Sequence, residues 1–439
     1  MKAIQLLPSI EKVSPYIRYG KVTKVVGLTI ESKGPKTSIG DLCYIHHSDQ
    51  STPITAEVVG FKEENVLLMP LKKGTDISPG SLVETTRKPL QISAGTGLIG
   101  RVIDGMGEPM DGRPLPSGLL KVNTSKEPPN PLSRPRIKAP MSLGIKVIDG
   151  LLTVGEGQRV GIFAGSGVGK STLLSMITRY SEADINVIAL IGERGREVKD
   201  FIERDLGEEG MKKSIVVAAT SDQTALMRIK GAMTATAVAE YFRDQGKKVN
   251  LMMDSVTRFA MAQREIGLAV GEPPTTKGYT PSVFAMLPSL LERSGTSSAG
   301  SITAFYTVLV DGDDFNEPIA DAVRGILDGH FVLDRSLADK AHYPSINVLK
   351  SVSRVMNEVV STDHAKAARR LREMLATYTE AEDLIQIGAY KRGSSQKIDE
   401  AVSMRELTLQ FVQQEETERF TLLEAEEQLL KDFGEGERP

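Results

Sequence analysis

The stretch Ala164-Gly165-Ser166-Gly167-Val168-Gly169-Lys170-Ser171 limits the possible folds of this chain more than any other. An apolar run, Arg159 to Ala164, precedes it, and a helix-favouring run, Lys170 to Tyr180, follows. A glycine-rich loop between a strand and a helix, closed by Lys-Ser, has the form of a phosphate-binding loop. Its first position is Ala rather than Gly, a small change that leaves the chemistry intact. Gly165, Gly167 and Gly169 let the backbone N–H groups around Ser166 and Val168 turn inward on phosphate oxygens. The helix N-terminus, carrying Lys170, Ser171 and Thr172, adds partial positive charge there. Lys170 is placed to reach the β- and γ-phosphates, and the Ser171 hydroxyl to ligate Mg²⁺.

The surroundings fit such a loop. Strand-length apolar runs at Arg159 to Ala164, Asn186 to Ile191, Ser214 to Ala219, Val249 to Met253 and Ile302 to Val310 alternate with helical segments such as Ala225 to Gln245. That alternation predicts an α/β region, a parallel sheet flanked by helices. Two carboxylates stand at strand ends. Asp254 closes the run Asn250-Leu251-Met252-Met253 and is placed to hold hydrated Mg²⁺. In isolation an Asp there also reads as a helix cap. Glu193 follows Ile191, and the C-terminal ends of parallel strands face the ligand crevice. Glu193 is thus a candidate to orient water near the γ-phosphate, although a solvated pair with Arg194 fits the pattern equally. Glu197 reads as a structural ion-pair partner.

Elsewhere the pattern changes. Lys21 to Ile30, Leu42 to His46, Thr55 to Phe61 and Val66 to Pro70 read as short strands between turns, hence a small β-barrel. Five prolines between Glu127 and Pro140 exclude a helix or central strand and predict a stiff surface crossing. After Arg354 strand signals stop, and residues 363 to 431 favour helices. The expected domains are 1–88 (with 1–16 an amphipathic start), 89–355 and 356–439.

The chain has 439 residues, 40% apolar and 25% charged, with a net charge of −3. No apolar run approaches the ~18 residues a spanning helix needs. The barrel segment has few aromatics and no dense basic stripe, which argues against nucleic-acid binding. Cys43 is the single cysteine, which fits a reducing compartment. The His46-His47 pair reads as a solvated turn rather than a metal site. Met1 to Gly20 lacks the apolar core of a secretory signal.

The phosphate-binding loop, Gly192-Glu193-Arg194-Gly195-Arg196-Glu197 and Pro344-Ser345-Ile346-Asn347-Val348-Leu349-Lys350-Ser351-Val352-Ser353 together resemble the ATP synthase α/β subunit family. Gly161 to Ser171 and Gly271-Glu272-Pro273-Pro274-Thr275-Thr276-Lys277-Gly278-Tyr279 are similar to its flagellar export branch within the type III secretion ATPases. The resemblance runs from about Tyr16 to Tyr390. It implies an N-terminal β-barrel, a RecA-like ATPase domain and a C-terminal helical domain, six copies in a ring, and Mg²⁺ with ATP as cofactor. It implies Glu193 as the catalytic glutamate, Lys170 and Ser171 as phosphate and Mg²⁺ residues, and Asp254 as the Walker B aspartate. Arg194 would line the pocket, Tyr343 would stack on adenine, and Arg354 would act in trans on a neighbour's nucleotide. The implied activity is ATP hydrolysis energising or gating flagellar protein export. A virulence-type secretion ATPase is the near alternative, and a rotary catalytic subunit a more distant one. Implied partners are a stator-like regulator at the N-terminus, a coiled-coil stalk protein, the export gate, and export substrates with their chaperones. The implied location is cytoplasmic, peripheral at the inner membrane.

Overall fold

Alternating apolar residues in six short strands face one another and close into a barrel. The computed structural model describes residues 18–46, 52–73, 77–310, 315 and 317–434; the amphipathic start at 1–16 and His47 lie outside them. Around the barrel the strands run Gly20–Val26, Thr29–Lys33, Asn65–Pro70, Ile54–Lys62, Asp41–His46 and Leu82–Pro89, every pair antiparallel. Val22, Ile30, Cys43, Ile45, Val58, Leu68 and Val83 fill it. Burial pushes the Cys43 thiol up. The strand expected over Lys21 to Ile30 is two strands instead. The chain reverses at Gly27, whose φ of 57° suits glycine. His46 ends a strand, and its Nε2 lies 3.0 Å from Glu84 Oε2.

The central sheet runs in the order Val352–Ser353, Gly329–Leu333, Arg159–Ala164, Ser301–Leu309, Lys248–Asp254, Ile185–Ile191, Ser214–Ala219 and Val102–Ile103. The pairs along this path are parallel except for the antiparallel edge at Val352–Ser353, and the short strand Gly295–Thr296 also adds to Ser301–Leu309 antiparallel. All seven residues of Ile185–Ile191 are buried, as expected of a strand covered on both faces. One apolar cluster, including the helices Ala225–Asp244 and Val256–Val270, covers one face. A second, including Lys170–Tyr180 and the C-terminal helices, covers the other. The proline-rich crossing holds only a short turn, Pro131–Ser133, and Arg134 fastens it to the Ser294 carbonyl at 2.7 Å.

The C-terminal helices are Thr362–Gln386, Gln396–Ser403, Arg405–Val412 and Leu422–Phe433. Gly150 lets Phe411 pack close, since a Cβ there would lie 2.5 Å from the ring. Gln414 accepts from Lys146 N at 2.8 Å and donates to Gly144 O at 2.9 Å, tying this region to the sheet. On the barrel side a buried ion pair, Lys230 Nζ to Glu57 Oε2 at 2.6 Å, does the same.

Candidate nucleotide site

A cavity of about 590 Å³ opens at the C-terminal ends of the central strands. Gly165, Ser166, Gly167, Gly169, Lys170, Ser171 and Thr172 form one wall. Gly167 and Gly169 take φ of 75° and 85°, left-handed values that let the loop curl before the helix begins. Two contacts fasten the loop from behind. Ser345 Oγ donates to Val168 O at 2.5 Å, and Arg335 Nη2 donates to Ser166 O at 3.1 Å.

Lys170 lies between two carboxylates. Its Nζ donates to Asp254 Oδ1 at 2.6 Å and stands 3.7 Å from Glu193 Oε1. Thr307 Oγ1 donates to the same Asp254 oxygen at 2.7 Å. Burial disfavours the Lys170 ammonium, yet Asp254 and Glu193 outweigh it and hold the group above its ordinary range. Burial, then the Asp254 charge, push the Glu193 carboxyl up to about 7 against the pull of Lys170. Glu193 Oε1 is buried and makes no hydrogen bond among the described residues.

Two of the alternative readings do not match these placements. Asp254 does not cap the next helix; Ser255 does, accepting from Arg258 N at 3.3 Å. Arg194 pairs not with Glu193 but with Glu197, at 3.3 Å. The Arg194 side chain is 82% exposed and lines the cavity mouth. Gly192 makes the turn that aims Glu193 inward, with φ of 73°. A Cβ there would meet Arg258 Cβ at 2.8 Å.

Tyr343 is not core, being 47% exposed. Its ring passes over Gly169, where a Cβ would lie 3.6 Å from it, and it borders a small recess with Thr172, Gln414 and Glu416. Arg354 is not in the cavity. The strand just before it, Val352–Ser353, pairs with Gly329–His330 at the start of Gly329–Leu333, whereas the phosphate loop lies beyond that strand's far end.

Sequence reasoning missed Arg258. It lines the cavity one helical turn after Asp254, with Nε buried and unpartnered among the described residues. Its signal was position: a cation in the first turn after a strand that ends at the phosphates. Thr307, on the neighbouring strand, gave no signal, because its role depends on strand order.

Residues 144–353 match the nucleotide-binding domain of the ATP synthase alpha/beta family, and 22–87 match that family's beta-barrel domain. Residues 360–431 match the T3SS EscN ATPase C-terminal domain. The flagellum-specific ATP synthase of Bacillus subtilis is 65% identical over 415 residues, covering 94% of this chain and 95% of that protein. The type 3 secretion system ATPase of Xanthomonas euvesicatoria is 51% identical over 397 residues, covering 90% of each. Assembled EscN from the enteropathogenic E. coli type III secretion system superposes with a TM-score of 0.89 at 46% identity, over 94% of this chain and 100% of that one. EscN has also been solved in complex with its central stalk EscO; that chain superposes at 0.87 and 46% identity, with the same coverage. The chain belongs to the ATP synthase alpha/beta family, in its type III secretion ATPase branch.

Proposed function

We propose that this ATPase drives or gates export of flagellar proteins, working as a homohexameric ring with nucleotide at each interface. The observation that carries the catalytic part is Lys170 set between Asp254 and Glu193 at strand ends facing a phosphate-binding loop. Identity of 65% to a flagellum-specific ATP synthase supports the flagellar assignment.

In this reading the loop amides and Lys170 hold the β- and γ-phosphates, and Tyr343 stacks on the base. Ionised Glu193 orients the attacking water and takes up its proton. Phosphoryl transfer spreads negative charge over the γ-phosphate oxygens, so positioned cations do most of the work. Arg258 supplies one from within the chain, Arg194 lines the mouth, and Arg354 supplies another to the neighbouring copy. Mg²⁺ fits the donors present: the Ser171 hydroxyl, the Asp254 carboxylate and, nearby, Glu193 Oε1, which makes no hydrogen bond among the described residues. Among the described residues no cluster of three or more His, Cys, Asp or Glu could hold a metal ion. That suits a cation that keeps most of its waters and arrives with phosphates. Bound there, it would neutralise charge on the β- and γ-oxygens.

Domain limits at 88 and 355 belong to the same reading. So do a coiled-coil stalk in the ring centre, a regulator bound by residues 1–16, the export gate, and substrates with their chaperones. No described helix is long and apolar enough to cross a membrane, which is compatible with peripheral attachment on the cytoplasmic side. A strain lacking the gene tests the function. Swimming and secretion of flagellar subunits should fail, return with the intact gene, and stay lost with Glu193→Gln. Normal swimming with loss of another secretion system's cargo would move the chain to the virulence-type branch.

A further inference from the structure

At the end of the central sheet away from the phosphate loop, three buried or half-buried side chains converge beneath Arg354. Asp328 precedes the strand Gly329–Leu333. Its carbonyl accepts from Arg354 N at 3.0 Å and from Gln158 Nε2 at 3.1 Å. Arg159 grips the Asp328 carboxylate with Nε and Nη2 at 3.0 and 3.1 Å, and its backbone N–H donates to the same group at 3.1 Å. Arg159 is held in turn by Glu292, at 2.5 Å. Fully buried Gln158 uses its whole amide here. It accepts from Gly155 N at 2.8 Å and donates to Asp328 O and, at 3.2 Å, to Ser353 Oγ. Ser353 then donates to Thr153 O at 2.8 Å. The two residues on which these bonds converge are the one before Arg354 and the one that accepts its backbone N–H.

The Arg354 side chain is held far less. It is exposed, and its single hydrogen bond among the described residues is a long one, Nη2 to Arg324 O at 3.4 Å. A backbone fixed by a buried polar network and a side chain left outward suit a group that serves another molecule. Buried amides and ion pairs of this kind are costly to leave unpaired, so the network holds one geometry.

We propose that Asp328, braced by Arg159 and Gln158, is a positioning residue that sets Arg354 for the neighbouring copy's nucleotide. This rests on the trans role of Arg354 proposed above. Asp328 touches no substrate; it acts through the Arg354 backbone. Loosening it displaces the guanidinium without removing it. Misplacement of about 1 Å can cost on the order of 100-fold in rate.

The test uses full-length chains assembled alone and mixed. Asp328→Asn should lower kcat between about tenfold and 100-fold, with KM for ATP and binding of a fluorescent ATP analogue unchanged, because its own phosphate loop is intact. Mixed one-to-one before assembly with Glu193→Gln, it should regain activity. In a random ring about a quarter of the sites then pair an intact Glu193 with an intact Arg354 donor. Arg354→Ala mixed with Glu193→Gln is the reference and should gain equally. Wild-type kcat in Asp328→Asn overturns the proposal. A gain with Arg354→Ala but none with Asp328→Asn also overturns it, since the defect is then one of folding. No gain with either overturns the trans reading itself. If Asp328→Asn does not fold, Ser353→Ala, which removes one acceptor of Gln158, enters the same mixing test and is judged by the same outcomes.

Discussion

The carboxyl of Glu193 is pulled two ways: burial and the Asp254 charge favour its proton, and Lys170 opposes it, with the balance at about 7. A water-orienting carboxylate works ionised, so kcat/KM should rise with pH to about 7 and then level off. Initial-rate measurements between pH 5.5 and 8.5 would show this limb, and a flat profile would remove Glu193 from the role. Glu193→Gln should bind ATP and fail to turn it over; loss of binding would make the residue structural. Stability runs the opposite way. The folded-state value lies above the ordinary glutamate value of 4.5, so the native chain holds this proton more tightly than the unfolded chain does. The contribution is full below about pH 4.5 and is lost as pH rises through about 7. Relative to wild type, Glu193→Gln should therefore melt higher at pH 8 than at pH 5, as calorimetry would record. Sequence pattern alone could not choose between Glu193 in the pocket and Glu193 paired with Arg194. The choice depends on where Ile185–Ile191 stands in the sheet relative to Arg159–Ala164, and strand order is a property of the whole sheet.

Elements differ in how much of themselves they reveal. The phosphate loop is legible to the residue, because strand, glycines, Lys-Ser and helix are consecutive in the chain. Gly329–Leu333 and Val102–Ile103 are not. The first opens on Gly329 and His330 and leaves only three apolar residues, and the second is two residues long, so neither carries an apolar run of strand length. The join between barrel and sheet is equally silent in sequence, since Glu57 and Lys230 stand far apart along the chain. In the fold they form a buried pair. Lys230→Ala leaves the Glu57 carboxylate buried without a cation and should cost about 3–5 kcal/mol. Burial already pushes Glu57 up, so the loss should grow as pH rises and shrink as pH falls and a proton replaces the lysine. Replacing both residues with Met should restore most of the stability in urea melts. A double variant as weak as Lys230→Ala would show that the pair itself, rather than the orphaned charge, holds the join.

For the molecule as a whole, the proposed trans role of Arg354 would make each chain incomplete. The residue sits at the end of the sheet away from its own phosphate loop, so in that reading it serves a neighbour's site rather than its own. A guanidinium supplied in trans is worth ~10³–10⁵ in rate in related nucleotide hydrolases. Specific activity should therefore climb with protein concentration as rings assemble, followed by light scattering on the same samples. Constant specific activity in a sample shown to be monomeric would refute the shared site.

Two carbonyls of the phosphate loop are already engaged from outside, by Ser345 and Arg335. With two of its oxygens held from outside, the loop's backbone is braced before any ligand arrives. Little conformational entropy remains to be surrendered when a ligand arrives. Capture then resembles seating a part in a finished socket, and selectivity between a spent and a fresh nucleotide has to come from elsewhere: from whatever meets the terminal phosphate, which in the proposed reading includes a group lent by the adjoining copy.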